Sequence, residues 1–243
     1  MNFRIEKGDI INCDVDAIVL PANKKLKEGA GTARAIFTAA GRKQLKDACS
    51  KIGTCDVGSA VPTPGYNLDA DYIIHAVVPK WIDGSHNEYE LLSSSYLSAL
   101  AVADVMKCDS IAFPMLAAGN NGFDRELAFK IAKESIESFE GEYLKEVILD
   151  VYDEEMAVFI KSLGYDVFDQ PEKSREKIRQ NVFIDKALTN GLQFVKNHRD
   201  VIVDYGIEIA DMVMQGYKPK KIMINLIKKA VVKNDNENQH DDR

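Results

Sequence analysis

The sequence predicts a three-layer α/β domain followed by an all-helical C-terminal extension. Up to about residue 170, short apolar runs of strand character alternate with stretches of helical period. This alternation is typical of a sheet that is covered by helices on both faces. After Gln170 the alternation stops, and helical patterns occupy 172–197, 200–215 and 219–233. We therefore divide the chain into residues 1–170 and 171–243.

The composition limits the class of protein. Of 243 residues, 46% are hydrophobic, which is enough for a core and argues against disorder. The sequence shows no apolar run of membrane-spanning length and no signal peptide. The net charge is −7, and the 14 basic and 11 acidic residues after position 170 leave −10 on the first part. Such an acidic surface is unsuited to nucleic acid.

Cysteines and histidines are too scattered to predict a metal site. No pair has the spacing of a zinc or redox motif, so we expect reduced thiols in a cytoplasmic protein, without metal or cofactor. The residues concerned are Cys13, Cys49, Cys55, Cys108, His75, His86, His198 and His240.

Two strands open the chain. Residues 3–7 alternate between apolar and polar side chains, and residues 17–20 form an apolar run that we expect to end at Pro21. Asn23 follows directly, at the end of a strand where α/β sheets bind ligands. An asparagine that caps a turn is an equally good interpretation of this position.

A glycine loop and helix start lie at residues 29–41. Gly29 and Gly31 allow a sharp turn, and residues 33–40 predict a helix that ends at Gly41. Unpaired backbone N–H groups at such a helix start can bind a phosphate, although an ordinary tight turn fits the pattern too. A nicotinamide-binding fingerprint is excluded because Arg34 replaces its third glycine.

Two further strands and a helix occupy the middle of the chain. We expect strands at 59–64 and 72–78 and a helix at 87–106. His75 lies inside the second of these strands. With no carboxylate or nucleophile close to it in sequence, His75 is interpreted as a core residue.

A second glycine loop follows the strand predicted at 110–116. The loop spans 117–123, and Asp124 is expected to cap a helix that runs through Glu137. A last strand at 145–152 precedes a helix at 153–163. Two such loops on one sheet could hold a diphosphate from both sides.

Together these segments resemble the macrodomain family. The motifs are Gly8-Asp9-Ile10, the run DVDAIVLPAN at 14–23, the loop and helix at 29–41, YIIHAVVPKW at 72–81 and FPMLAAGNNGF at 113–123. The resemblance covers residues 1–170 and implies a three-layer α/β/α domain with a six-stranded mixed sheet. Macrodomains bind ADP-ribose, and many remove it from proteins or process its derivatives.

The resemblance also implies a set of ligand-binding residues. Asp9 would accept a hydrogen bond from the adenine amino group beside the N–H of Ile10, and Asn23 would bind the distal ribose. Tyr152 would stack on adenine. The diphosphate would lie between two loops, formed by Gly29, Ala30, Gly31 and Thr32 on one side and by Ala118, Gly119, Asn120, Asn121, Gly122 and Phe123 on the other.

Three departures from the family pattern bear on catalysis. Ala33 stands where hydrolytic members carry an acidic residue, Leu20 where they often carry asparagine, and Asn121 where an aromatic is common. Asp124 could match an aspartate that another branch uses with a lysine nucleophile, but the helix predicted after Gly31 contains no obvious lysine. The leading hypothesis is therefore an ADP-ribose-binding module, and the alternative is an ADP-ribosyl hydrolase that uses Asp124.

A third hypothesis concerns the extension. Residues 219–229 are basic and amphipathic, which suits a membrane surface or nucleic acid. A helix of this kind also packs its apolar face on a neighbouring helix, and that interpretation is favoured. The partner expected from the sequence is ADP-ribose or an ADP-ribosylated protein, with no nucleic acid at residues 1–170.

Overall fold

The computed structural model describes residues 1–171. The helical stretches and the amphipathic segment predicted after this point lie outside the described residues. The strands are β1 (Asn2–Lys7), β2 (Ala17–Ala22), β3 (Ala60–Pro64), β4 (Tyr72–Val77), β5 (Ser110–Pro114), β6 (Glu146–Val151) and β7 (Phe168–Asp169). The helices are α1 (Thr32–Ala40), α2 (Arg42–Ile52), α3 (Glu88–Val105), α4 (Arg125–Glu137) and α5 (Glu154–Ser162), with a 3-10 turn at Ile10–Asn12.

The strands form one mixed sheet in the order β3-β4-β2-β5-β6-β1-β7. Only β3 runs antiparallel to its neighbour, and every other pairing is parallel. The mixed sheet is confirmed, and its six long strands agree with the expected number. The seventh strand has two residues, which pair with Glu6 and Lys7 of β1.

Helices cover both faces of the sheet, which confirms the three layers. On one face α1 and α2 bury Ile36, Phe37 and Leu45 against the side chains of β2 and β4. On the other face α3, α4 and α5 form the larger core, with Tyr96 and Phe113 in ring contact at 5.2 Å. The four central strands β2, β4, β5 and β6 are therefore buried on both faces, which agrees with their continuous apolar runs.

The parallel pairing brings the carboxyl ends of β1, β2, β5 and β6 to one edge. Lys7 of β1 pairs with Val151 of β6, and Pro114 of β5 pairs with Asp150. The segments that leave these strands carry Asp9, the two glycine loops and Tyr152. Sequence-distant motifs therefore meet at the edge where α/β sheets bind ligands.

The prediction that β2 ends at Pro21 is wrong, because the strand continues through Ala22. β2 pairs with β4 along its whole length but with β5 only at Ala17 and Ile18. The missing N–H of Pro21 removes no ladder bond, since the β5 ladder has already ended there.

One strand end and two further elements also differ from the predictions. The strand expected at 110–116 ends at Pro114, where the backbone begins the second glycine loop. The helix α2 was not predicted, because only Leu45 and Cys49 of its eleven residues are buried. The strand β7 was missed because two residues carry no detectable period.

No helix within residues 1–171 is long and apolar enough to cross a membrane.

Candidate functional site

The first part of the site is the turn after β1. Asp9 is partly buried and precedes the 3-10 turn, and its Oδ1 accepts the backbone N–H of Ile11 at 3.2 Å. The side chain of Ile10 is buried at 2% exposure. The turn therefore fixes the Asp9 carboxylate at the edge of the sheet by a local cap.

Behind this turn lies a second carboxyl group that the sequence reasoning missed. Asp150 of β6 is 3% exposed, and its Oδ1 has no hydrogen-bond partner among the described residues. Burial, followed by the carboxylates of Asp9 and Glu6, raises the pKa of Asp150 to about 7, and the backbone of Ile10 opposes this. The available signal was an aspartate inside the apolar run at 146–151.

Asn23 follows β2, as predicted, and its side chain organises its own loop. Its Oδ1 accepts the N–H groups of Lys25 and Lys27 at 3.2 Å each, and its Nδ2 donates to the carbonyl of Lys27 at 2.6 Å. The turn-capping interpretation is therefore confirmed. The Nδ2 of this exposed residue carries a second N–H that these hydrogen bonds do not use.

The first glycine loop ends at an uncapped helix start. Gly31 occupies the N-cap of α1 with φ 56° and ψ −132°, a conformation that requires glycine, and no side chain caps the helix. The first-turn N–H groups of α1 therefore have no side-chain acceptor. A Cβ placed on Gly31 would meet no described atom within 4 Å, so the space above the helix start is open.

The second glycine loop is tied to the segment after β4. Asn121 accepts the N–H of Trp81 at 2.8 Å through its carbonyl and donates from Nδ2 to the carbonyl of Pro79 at 3.0 Å. Gly122 donates to the carbonyl of Gly119 at 3.0 Å and has φ 81°. These bonds hold the loop closed without using the backbone N–H groups of Gly119 and Asn120.

Phe123 differs from the other predicted loop residues, because its side chain belongs to the core. Its ring is 4% exposed and meets Trp81 edge-on at 5.1 Å between centroids. At the start of the loop Ala117 has φ 62°, which is unusual for a residue with a Cβ and costs on the order of 1 kcal/mol or more. Strained residues of this kind cluster at ligand-binding loops.

Asp124, the candidate catalytic residue, is an exposed helix cap. Its Oδ1 accepts the N–H groups of Glu126 and Leu127 at 3.0 and 3.1 Å, as the sequence predicted for an N-cap. The capping role uses one carboxylate oxygen and leaves the other for a second partner.

Tyr152 follows β6 at the same edge and is 77% exposed. An aromatic ring of this exposure has a free face for stacking at the edge where β1 and β6 end. By contrast, Ala33 and Leu20 are buried at 4% and 1% exposure. Two of the positions at which the sequence departs from the family pattern are therefore buried apolar side chains.

His75 is a core residue, in agreement with the interpretation from sequence. It is fully buried, and its Nε2 lies 2.9 Å from Oγ1 of Thr63 and 4.0 Å from Sγ of Cys49. Burial lowers the pKa of His75 to about 4, so the imidazole is neutral at pH 7. Burial also raises the pKa of the Cys49 thiol, so the pair carries no activated nucleophile.

Asp83, His86 and Glu88 bring three metal-ligand atoms close together within residues 1–171. The Glu88 carboxylate is already used, because Oε1 accepts the N–H groups of 82–84 and Oε2 accepts that of His86. Burial alone raises the pKa of Glu88, but these backbone donors lower it to about 2. The cluster therefore anchors the loop before α3.

A groove of about 410 Å³ lies between α2 and β3, toward the amino end of β4. Its lining includes Asp47, Lys51 and Tyr66, and none of the predicted ligand-binding residues. The groove is therefore separate from the edge that carries the two glycine loops.

The fold and the loops define a class: an α/β/α domain with two glycine loops and an acidic turn at one sheet edge. The Macro domain family matches residues 19–132. A macro domain-containing protein of Listeria monocytogenes is 41% identical over 162 residues, covering 64% of this chain and 92% of the relative. The chain belongs to the macro domain family.

Other relatives carry more specific names. An O-acetyl-ADP-ribose deacetylase of Salmonella gallinarum is 41% identical over 161 residues, which is 64% of this chain and 89% of the relative. A variant of the Oceanobacillus iheyensis macrodomain with ADPR has a TM-score of 0.61 at 30% identity, covering 66% of this chain and 90% of the other. A Trypanosoma brucei macrodomain in complex with ADP-ribose has a TM-score of 0.61 at 26% identity, with 67% and 69% covered.

Proposed function

We propose that this protein binds ADP-ribose, or a derivative of it, at the edge formed by the carboxyl ends of β1, β2, β5 and β6. The observation that carries the proposal is the uncapped start of α1 beneath open space, facing the same edge as Asp9 and the second glycine loop. Helix starts of this kind attract phosphate. Relatives named for ADP-ribose chemistry, and solved neighbours that hold ADP-ribose, support this choice of ligand.

The residues divide into three contact regions for such a ligand. Asp9 would accept a hydrogen bond from the adenine amino group, and Tyr152 would stack on the ring. The diphosphate would lie between the backbone donors of 29–32 and of 118–122. Asn23 would reach the distal ribose with the remaining N–H of its amide. Because the cradle consists of backbone, it suits a domain whose net charge is negative.

The Gly119→Val variant tests the cradle. A Cβ on Gly119 would meet no described atom within 4 Å, and its φ is not in the left-handed region, so the fold has room for the side chain. We expect an unchanged Tm and at least a roughly tenfold weaker Kd for ADP-ribose by calorimetry, because the side chain occupies the diphosphate space. Unchanged affinity would place the diphosphate elsewhere.

A hydrolase is the second candidate function, and the relatives named O-acetyl-ADP-ribose deacetylase favour it. General acid–base help is typically worth ~10²–10⁴-fold, and Ala33 supplies no such group. In this alternative the Asp124 oxygen not used for capping would act on a substrate-held water.

Turnover of a mono-ADP-ribosylated protein is expected to be slow or absent in the wild type. Asp124→Ala removes the helix cap as well as the carboxylate, so Asp124→Asn is the better variant because it keeps an acceptor for Glu126 and Leu127. If the wild type releases ADP-ribose rapidly and Asp124→Asn abolishes release, the protein is a hydrolase. Ala33→Asp is expected to raise turnover, at a cost in Tm because the position is buried.

A chain that ends after Pro171 is expected to bind ADP-ribose as tightly as the full chain. All five family motifs and every described contact of the site lie before that position. Calorimetric titration of both proteins makes the comparison. Weaker binding by a folded truncated chain would show that the extension helps to build the site.

A further inference from the structure

We propose that Gln170 is a positioning residue for adenine recognition, because its side-chain amide clamps the turn that presents Asp9. The inference rests on the proposed ADP-ribose function and assigns a specificity role to a residue outside all five motifs. Gln170 directly follows β7, and its side chain contacts the turn that follows β1.

The amide of Gln170 makes three hydrogen bonds to this turn. Its Oε1 accepts the N–H of Asp9 at 3.1 Å, and its Nε2 donates to the carbonyl of Asp9 at 3.3 Å and to Sγ of Cys13 at 3.1 Å. Both backbone polar groups of Asp9 are therefore held by one side chain. Because these two groups belong to the peptide units on either side of the Asp9 Cα, the paired contact fixes the orientation of both units.

Backbone contacts deliver Gln170 to this place. The strand β7 pairs with Glu6 and Lys7, and the N–H of Gln170 then donates to the carbonyl of Lys7 at 2.9 Å. A Cβ on Gly8 would lie 2.4 Å from Oε1 and 2.6 Å from Cβ of Gln170. Glycine at position 8 therefore allows the close approach that the clamp requires.

The surroundings explain why an amide is suited to this position. Glu6, Asp9 and Asp150 place three carboxyl groups around the turn, and Arg4 pairs with Glu6 at 2.6 Å. A neutral amide can both accept and donate without adding a fourth negative charge. Glutamate of the same length would lose both donor bonds and repel its neighbours.

The test compares ADP-ribose with its hypoxanthine analogue, inosine diphosphate ribose. The analogue carries a carbonyl in place of the adenine amino group and keeps the diphosphate and both riboses. A residue that positions Asp9 affects discrimination between the two bases, whereas a residue that only stabilises the fold affects both ligands equally. The full-length chain is used throughout, with Kd measured by calorimetry and folding by near-ultraviolet circular dichroism.

We expect the wild type to prefer ADP-ribose. Gln170→Met, which keeps the length but no hydrogen bond of the amide, should bind ADP-ribose about tenfold more weakly and change the Kd of the analogue less than about twofold. Gln170→Glu is the second variant, and it should also lower the preference for ADP-ribose over the analogue. Asp9→Ser is the positive control for lost discrimination.

The outcomes separate this inference from the proposed function. If the wild type binds neither ligand, the proposed function fails and the clamp has no ligand to position. If the wild type binds both equally, or the folded variants lose affinity for both ligands by the same factor or for neither, Gln170 has no positioning role and the inference is overturned.

Discussion

Replacing Asp150 with asparagine is expected to stabilise the protein at pH 8 and to have little effect at pH 4. The pKa of Asp150 is raised to about 7 in the folded protein, against about 3.9 for an unfolded aspartate. Between these values only the folded state binds the proton, so the free energy of unfolding falls as the pH rises through this window. Above pH 7 the folded wild type is therefore destabilised, because it holds an ionised carboxylate that is buried beside Glu6 and Asp9.

Asp150→Asn removes that ionisation and keeps the side-chain shape. The expected gain at pH 8 is about 1–4 kcal/mol in the free energy of unfolding, measured by urea denaturation between pH 4 and 9. Asp153→Asn is the matched control, since Asp153 is an exposed cap of α5 whose Oδ1 accepts the N–H of Met156 at 2.6 Å. If the free energy of unfolding depended on pH in the same way in the wild type and in Asp150→Asn, the raised pKa of Asp150 would be contradicted.

Replacing Asp9 with alanine is expected to weaken ADP-ribose binding by about 1–3 kcal/mol, which is roughly 5- to 150-fold in Kd. The physical reason is the loss of a charge-assisted hydrogen bond from the adenine amino group, in a partly buried position where water competes less. AMP, which lacks the diphosphate bridge and the distal ribose, should bind more weakly than ADP-ribose to the wild type. Calorimetry measures both effects.

The structure adds a control that the sequence did not suggest. Asp9 also caps the 3-10 turn through Ile11, so Asp9→Ala changes the turn as well as the proposed ligand contact. Serine at this position can keep the cap but does not reach as far. Equal losses in Asp9→Ala and Asp9→Ser indicate a direct contact, and recovery of binding in Asp9→Ser would assign the loss to the turn. Equal ADP-ribose binding by wild type and Asp9→Ala would remove Asp9 from the site.

Much of the fold and the outline of the site follow from local sequence. The apolar runs of β2, β4, β5 and β6 are long enough to be recognised as buried strands, and Asp124 before α4 is a strong capping signal. Glycines at 29, 31 and 41 mark the limits of the first loop and its helix. These features depend on side-chain period and backbone freedom, which neighbouring residues fix on their own. The family resemblance adds the assignment of the loops to one ligand.

Other features depend on contacts between residues that are distant in sequence. The burial of Asp150, which sets its pKa, arises only when β1 and the 3-10 turn cover the end of β6. The contact of Gln170 with Asp9 joins residues 161 positions apart, through a strand of two residues that has no pattern of its own. The sequence predicted that Asn23 follows a strand and that Asp124 caps a helix. The atoms that each side chain bonds, however, became known only from the fold. Local patterns determine where helices and strands begin and end. The pKa of Asp150 and the hydrogen bonds of Gln170 depend instead on tertiary contacts between distant parts of the chain.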